Sequence, residues 1–318
     1  MAKTILIAGG AGFIGSHMSE RLLREGNRVI CVDNLLTGSE TNIAHLKDNP
    51  QFTFLNHDVT TPLPSTLSAD AVFHLASPAS PNHHSPISYH ALPMETMLVN
   101  TQGTLRLLEF AQKHQARFLF ASTSEVYGDP LEHPQKESYR GNVSTVGPRS
   151  VYDEAKRFGE TLTAYFIREK ALNGRIARIF NTYGPHMSKK DMRMIVAFIT
   201  SALEDKPITI FGDGSQTRSL CFVEDLVEGL TRLMFYENTQ GEIVNLGMPE
   251  EHTVREYAKI IKELVGSKSE IIESETLPED DPKKRLPDIT KAKKLLDWTP
   301  TTPLQVGIQK TIEYLKTV

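Results

Sequence analysis

The sequence predicts an α/β fold, a doubly wound parallel sheet with a smaller C-terminal α/β lobe. Three observations predict it. The first half of the 318-residue chain alternates short apolar runs with helical patterns. The first apolar run opens directly into a glycine-rich turn followed by a helix. After Phe180 the alternation becomes irregular, with no long linker to mark an independent domain. Alternation of this kind means parallel strands joined by right-handed βαβ crossovers.

Taken in order, Thr4 to Ala8 is a continuous apolar run, the mark of a strand covered on both faces. Ile14, Met18 and Leu22 recur at i, i+4 spacing, with Leu23 beside them, and predict a helix that stops at Gly26. Further strands read as Val29 to Val32, Phe52 to Leu55, Ala71 to His74, Phe118 to Ala121 and Ile176 to Phe180. Helical patterns run from Glu95 to Gln112 and from Tyr152 to Lys170. Later helices are expected at Met194 to Leu203, Val223 to Phe235, Val254 to Leu264 and Leu304 to Leu315. Short strands are expected at Ile208 to Phe211, Ile243 to Asn245 and Glu270 to Ile272, and Glu275 to Asp288 reads as a surface loop.

Composition narrows the function. Hydrophobic residues make up 39% and charged residues 23%, an ordinary globular balance. A formal net charge of −4 argues against a nucleic-acid binder. The absence of a Lys/Arg block argues against an electrostatic membrane anchor. The two cysteines, Cys31 and Cys221, lie in apolar runs and read as buried thiols of a reducing compartment. No signal peptide is visible and no apolar run approaches a membrane span, so the expected location is cytoplasmic.

The first turn reads Ala8-Gly9-Gly10-Ala11-Gly12-Phe13-Ile14-Gly15. Gly9, Gly12 and Gly15 between a strand and a helix let backbone approach a pyrophosphate, and the helix offers free N–H groups and a positive dipole end. This is a Rossmann-type turn in its required context. Asp33, 18 residues after Gly15, ends the second strand, followed by Asn34. A carboxylate there accepts from ribose hydroxyls and repels a 2′-phosphate, which favours NAD over NADP. The plainer alternative is a turn aspartate. Asp58-Val59 follows the third strand, where an aspartate could meet the adenine amino group.

Tyr152 and Lys156 form YxxxK at a helix start, on one face by i, i+4 spacing. An ammonium beside a phenol lowers the phenol from about 10 towards neutrality, making it a base for a sugar hydroxyl. The pattern gains meaning from Ser122-Thr123-Ser124-Glu125-Val126-Tyr127-Gly128 upstream, which places a hydroxyl at the C-terminal end of a parallel strand.

Together these residues resemble the extended short-chain dehydrogenase/reductase family, whose members modify nucleotide sugars by transient oxidation at C4. The resemblance implies Thr123, Tyr152 and Lys156 as a catalytic trio, with Asn100 as a supporting polar residue rather than a surface helix asparagine. It implies an NAD-binding Rossmann domain over 1–180, completed by part of 208–246, and a UDP-sugar-binding lobe over 181–318. A homodimer is also implied, through the helices Glu95 to Gln112 and Tyr152 to Lys170.

Further segments resemble the UDP-glucuronate decarboxylase branch. They are His74-Leu75-Ala76-Ser77-Pro78-Ala79-Ser80-Pro81, Ser122 to Pro130, His133-Pro134-Gln135, Gly147-Pro148-Arg149 and Tyr152-Asp153-Glu154. Arg178 to Pro185, Gly214 to Ser219 and Asp280 to Asp288 complete the set. The resemblance places Leu75 and Ala76 at the cofactor, and Ser77, Pro78, Asn181, Gln216, Arg218 and Arg285 at the UDP-sugar. Arg285 would contact a carboxylate or a phosphate, and without its motif it reads as a solvated basic residue. Pairing with Asp225 or Glu224 is the plainer role for Arg218.

The chemistry suits this branch, because oxidation at C4 of a glucuronate makes a β-keto acid that loses carbon dioxide easily. Ser124 stands where related dehydratases carry an aspartate, and a neutral hydroxyl can bond a substrate carboxylate that an aspartate would repel. Glu125 could repel or desolvate that carboxylate, move a proton, or be a structural strand-end acid. Three departures stand out. Asn82 to Leu92, carrying His83, His84 and His90, is longer than the branch pattern, and no metal is expected there. Met192 replaces the glycine of an Asp-Gly-Arg pattern and Ala197 an asparagine, and Ser144-Thr145 replaces Asn-Pro. Two rivals share the motifs: a UDP-hexuronate or UDP-hexose 4-epimerase, and a non-catalytic NAD-binding regulator.

Overall fold

The structure, a computed structural model, describes residues 2–275 and 284–318. Apolar runs become strands where burial on two faces rewards them. These are β1 (Thr4–Ala8), β2 (Arg28–Asp33), β3 (Phe52–Asn56), β4 (Ala71–His74), β5 (Arg117–Thr123) and β6 (Gly174–Ile179). Between them lie α1 (Phe13–Arg24), α2 (Pro93–Leu98), α3 (Thr104–Lys113) and α4 (Ser150–Lys170). The later elements are β7 (Thr182–Tyr183), α5 (Met194–Leu203), β8 (Ile208–Phe211), β9 (Thr217–Arg218), β10 (Cys221–Phe222) and α6 (Val223–Phe235). They continue with β11 (Ile243–Leu246), β12 (His252–Thr253), α7 (Val254–Val265), β13 (Ile271–Glu275), α8 (Thr290–Leu296) and α9 (Leu304–Leu315).

Seven strands form one sheet in the order β11-β6-β5-β4-β1-β2-β3, and every neighbouring pair in it is parallel. The predicted doubly wound sheet is therefore present. Helices cover both faces. On one side Leu6, Ala8, Val72, Phe118 and Phe120 pack under α3 and α4; on the other Ile5, Ile7, Phe73 and Leu119 pack with α1 and α6. Beyond the sheet, β8 pairs with β13 and packs with α5 and α7 to form the smaller lobe. Thr253 and Glu256 cap α7 with a capping box, and Gly266 at φ 71° ends it, as those residue types favour.

Three local differences from the sequence reading have physical reasons. The helix expected from Glu95 to Gln112 starts earlier, with Pro93 in its first turn, and is interrupted by a π-turn over Val99–Gly103. Helix α8 was not foreseen, because its seven residues carry three lysines and only a short apolar stripe. The expected surface loop from Glu275 to Asp288 lies partly outside the described residues, Asp280 to Lys283 among them. Its end is no surface segment, since Arg285, Pro287 and Ile289 are buried. Both cysteines are buried and free. Among the described residues, no helix is long and apolar enough to cross a membrane.

Helix α4 can lie close on β5 because Gly159 presents no side chain there, and a Cβ would run into the buried Phe120 ring. Gly159→Ala should therefore cost about 1–3 kcal/mol of unfolding free energy through overpacking, read from the urea midpoint. An unchanged midpoint would mean that Phe120 moves aside freely.

Candidate active site

All the parallel strands deliver their C-terminal ends to one edge, and a cavity of about 980 Å³ opens along it. Its walls bring together Gly9, Gly12, Phe13, Ile14, Gly15, Asp33, Asn34, Asp58, Val59, Leu75, Ala76, Ser77 and Pro78. They also include Thr123, Ser124, Glu125, Tyr152, Lys156, Asn181, Arg218 and Arg285. Two expected site residues stand outside the walls. Asn100, fully buried in the π-turn, donates through Nδ2 to Ser77 Oγ and to the Thr96 carbonyl, both at 2.8 Å. Gln216 donates through Nε2 to the Phe211 carbonyl at 3.0 Å and so holds its own loop.

The glycine turn passes a direct test for a dinucleotide. Gly9 has φ 81°, and a Cβ there would stand 2.6 Å from Ala76 N. A Cβ on Gly15 would run into the Gly9 carbonyl. Side chains are excluded, so main chain forms the surface, and no side chain caps the first-turn N–H groups of α1. Asp33 lies beside this cradle, its carboxylate accepting from Ala11 N at 3.0 Å and Leu35 N at 2.8 Å. Burial raises its pKa while these bonds oppose the rise. Asp58 Oδ1 is occupied by Thr60 N and Oγ1, at 2.8 and 2.7 Å, and Asn34 Nδ2 reaches Oδ2 at 3.3 Å. These residues fit NAD.

At the far end, β5 finishes at Thr123 and a 3-10 turn over Ser124–Tyr127 follows. Thr123 Oγ1 hydrogen-bonds the Tyr152 phenol and accepts from Glu125 N at 3.2 Å. Lys156 Nζ donates to the Ala121 carbonyl at 2.8 Å and lies 5.7 Å from the centre of the Tyr152 ring. The trio is assembled, and burial acts on two of its members. Burial and then the Glu125 charge push the phenol above its usual range. Burial alone lowers Lys156 to about 7.

Three residues to which the sequence alone assigned no role complete the site. Tyr89, from the long 82–92 loop, stacks on Tyr152 with ring centres 4.9 Å apart and planes 9° from parallel. Arg149 Nη2 pairs with Glu125 Oε2 at 2.7 Å, and Arg285 Nη1 approaches Oε1 at 3.5 Å. Asp153 hydrogen-bonds Glu125. The spacing of Arg149 and Asp153, i and i+4 at the start of α4, was the available signal. For Tyr89 the sequence held none, since its loop matches no periodic pattern.

The long loop is anchored to the segment before α5. Ser80 Oγ donates to the Asp191 carbonyl at 2.7 Å, Asn82 Nδ2 to Met192 O at 2.7 Å and Ser85 Oγ to Lys190 O at 2.6 Å. Met192 has φ 57°, the left-handed region where the glycine of the related pattern would rest unstrained. Arg193 clamps Asp191 with two bonds of 2.6 and 2.7 Å and lines the cavity. Neither Met192 nor Ala197 is in the cavity wall. The His83 and His90 rings stack at 3.8 Å, and among the described residues no group of three metal-ligating side chains converges. Asp225 is bonded by Thr301 and Thr302, and Glu224 by Lys310, while Arg218 Nη1 donates to the Thr217 carbonyl.

A titration follows from Lys156. Its folded pKa is below its unfolded value, so between about pH 7 and pH 10 the unfolded chain binds more protons. Stability from this position is present above that window and is lost as pH falls through it. Relative to Lys156→Met, the wild type should gain unfolding free energy from pH 7 to 9.5 in denaturant melts. A constant difference would show a solvated ammonium.

Comparison with known proteins places this geometry. The model of the NAD dependent epimerase/dehydratase family matches residues 5–247. UDP-glucuronic acid decarboxylase 1 of Danio rerio is 48% identical over 314 residues, covering 98% of this chain and 72% of that protein. UDP-glucuronic acid decarboxylase 4 of Arabidopsis thaliana is 50% identical over 307 residues, 96% of this chain and 66% of the relative. Among solved structures, UDP-glucuronic acid 4-epimerase from Bacillus cereus, in complex with UDP-glucuronic acid and NAD, superposes with a TM-score of 0.86 at 29% identity, covering 99% of each chain. A side-chain-free phosphate cradle, a strand-end threonine bonded to a tyrosine, and a family match across most of the sheet agree: the chain belongs to the NAD dependent epimerase/dehydratase family.

Proposed function

We propose that this enzyme decarboxylates UDP-glucuronate to UDP-xylose through a 4-ketone, with NAD as its resident cofactor. The observation that carries the reading is the cluster around Glu125. Arg149 and Arg285 both approach the ionised Glu125 carboxylate at the cavity wall, beside Tyr152. Guanidiniums at the cavity wall suit a substrate that brings a carboxylate. Relatives bearing the decarboxylase name support the same substrate.

Gly9, Gly12, Gly15 and Asp33 would hold the cofactor, with Asp58 at the adenine end. Bound NAD supplies a reversible hydride acceptor for C4. Tyr152, steadied by Thr123 and by the stacked Tyr89, would accept the proton of the C4 hydroxyl as its phenolate, the form that burial disfavours until the site is loaded. Lys156 orients that phenol from the Ala121 carbonyl. Arg285 and Ser124 hold the hexuronate carboxylate so that the C5–carboxyl bond breaks into the new carbonyl. Asn181, Gln216 and Arg218 belong to the UDP side.

The same reading divides the chain into a cofactor part, 1–180 completed by a strand from 208–246, and a substrate part, 181–318. The position of β11 beside β6 supports this division. Buried free thiols support a cytoplasmic location.

Incubation with UDP-glucuronate and NAD should release carbon dioxide and leave a UDP-pentose by mass spectrometry. Tyr152→Phe should slow that release by about a hundredfold or more. An isomerised hexuronate with no carbon dioxide would select the 4-epimerase reading instead. Met94 and Leu98 on α2 and Phe158 and Tyr165 on α4 are exposed apolar residues on adjoining helices, which supports a homodimer through them. Light scattering should give twice the chain mass, and Phe158→Glu should shift it towards the monomer. A wild-type monomer would refute the dimer.

A further inference from the structure

Behind the cavity wall, the two carboxyl groups of Glu125 and Asp153 hydrogen-bond each other, and both residues are buried. Two carboxylates cannot share a hydrogen bond unless one of them carries a proton. The surroundings decide which. Glu125 faces the guanidinium of Arg149 at 2.7 Å and that of Arg285 at 3.5 Å, and it accepts from the Tyr89 hydroxyl at 3.4 Å. These partners hold the charge on Glu125. Asp153 leaves Oδ1 buried with no hydrogen-bond partner, which suits a neutral acid. Among the described residues, the charged and titratable groups around the pair include Arg149 just before α4 and Tyr152 within it, Tyr89 and His90 from the long loop, Arg285 from the segment before α8, and Arg193 from the segment before α5.

We infer that Asp153 stores the proton that replaces the departing carboxyl group, handing it through Glu125 to C5 of the sugar. This rests on the decarboxylase reading. Once C4 is a ketone, the bond between C5 and the carboxyl carbon breaks, carbon dioxide leaves, and the electron pair becomes an enolate across C5 and C4. Glu125 takes the Asp153 proton and passes that same proton to C5, where the enolate pair forms the new C5–H bond and Glu125 is again a carboxylate. Charge balances at each end. Before the step, the substrate carboxylate and Glu125 face Arg149 and Arg285. After it, Asp153 and Glu125 face the same two guanidiniums. The negative charge that leaves the substrate reappears on Asp153, inside the same cationic frame. A solvent proton then restores Asp153, supplying the one proton that the net reaction consumes. Asp153 reaches the substrate only through Glu125, so it is a positioning residue with a transferable proton.

Asp153→Asn tests this, because the amide can still donate to Glu125 but has no acidic proton. With UDP-glucuronate and NAD, kcat for carbon dioxide release should fall by about a hundredfold or more, with KM for UDP-glucuronate unchanged and the solvent deuterium isotope effect on kcat altered. Infrared spectra of the protein alone at pH 7 should contain a protonated-carboxyl band that the variant lacks. Asp153→Ser, which keeps a donor hydroxyl, should behave the same way and serves if the asparagine variant does not fold. Wild-type kcat in either variant, or an infrared band that survives in it, would overturn the proton store. A wild type that releases no carbon dioxide would instead overturn the decarboxylase reading itself.

Discussion

The seven strands of the main sheet run in one direction, and that shared direction governs everything at the site. A parallel sheet buried on both faces exposes only its two edges of strand ends and the loops that leave them. Here the C-terminal edge carries the glycine turn after β1, Asp33 at the end of β2, Asp58 beyond β3 and Leu75 to Pro78 beyond β4. Thr123 ends β5, and Asn181 follows β6. Residues more than a hundred positions apart meet because each occupies the same end of its own strand. The smaller lobe then closes this edge, with Arg218 and Arg285 lining the same cavity as Gly9.

Within that cavity, desolvation is the dominant electrostatic influence, and it treats acids and bases in opposite ways. It raises Tyr152 and lowers Lys156, so burial favours the uncharged form of both members of YxxxK. Glu125 escapes the same pressure because two guanidiniums outweigh it, which leaves Asp153 as the carboxyl that gives way. A buried cluster of like and unlike charges thus assigns opposite protonation states to neighbouring carboxyls, the arrangement that separates acid from base.

Much of this was legible in the residues. Continuous apolar runs such as Thr4 to Ala8 signal two-sided burial, and glycines between strand and helix signal close backbone approach, because few other residue types satisfy either demand. Thr123, Tyr152 and Lys156 were legible because each sits at a fixed offset from a strand end or along one helix face. What was not legible depends on tertiary contact. Tyr89 lies in a loop without period, and only the folded chain brings its ring onto Tyr152. The protonation of the trio also escaped the sequence, since spacing reports that an ammonium is near but not that the same pocket strips it of water. Arg285 read as solvated outside its motif because its neighbours in sequence are charged, yet it is buried against Glu125.

The long loop before α2 grips its neighbour by main-chain carbonyls alone. Ser80, Asn82 and Ser85 donate to the carbonyls of residues 190 to 192 and ask nothing of the side chains there. A grip of that kind is blind to residue identity. Lys190, which lines the cavity, can be exchanged for other residues without loosening it, so this rim is a place where new contacts to a ligand can be tried while the ring behind Tyr152 keeps its seat. The architecture separates what must stay fixed from what is open to change, and that is a form of evolvability written in backbone hydrogen bonds.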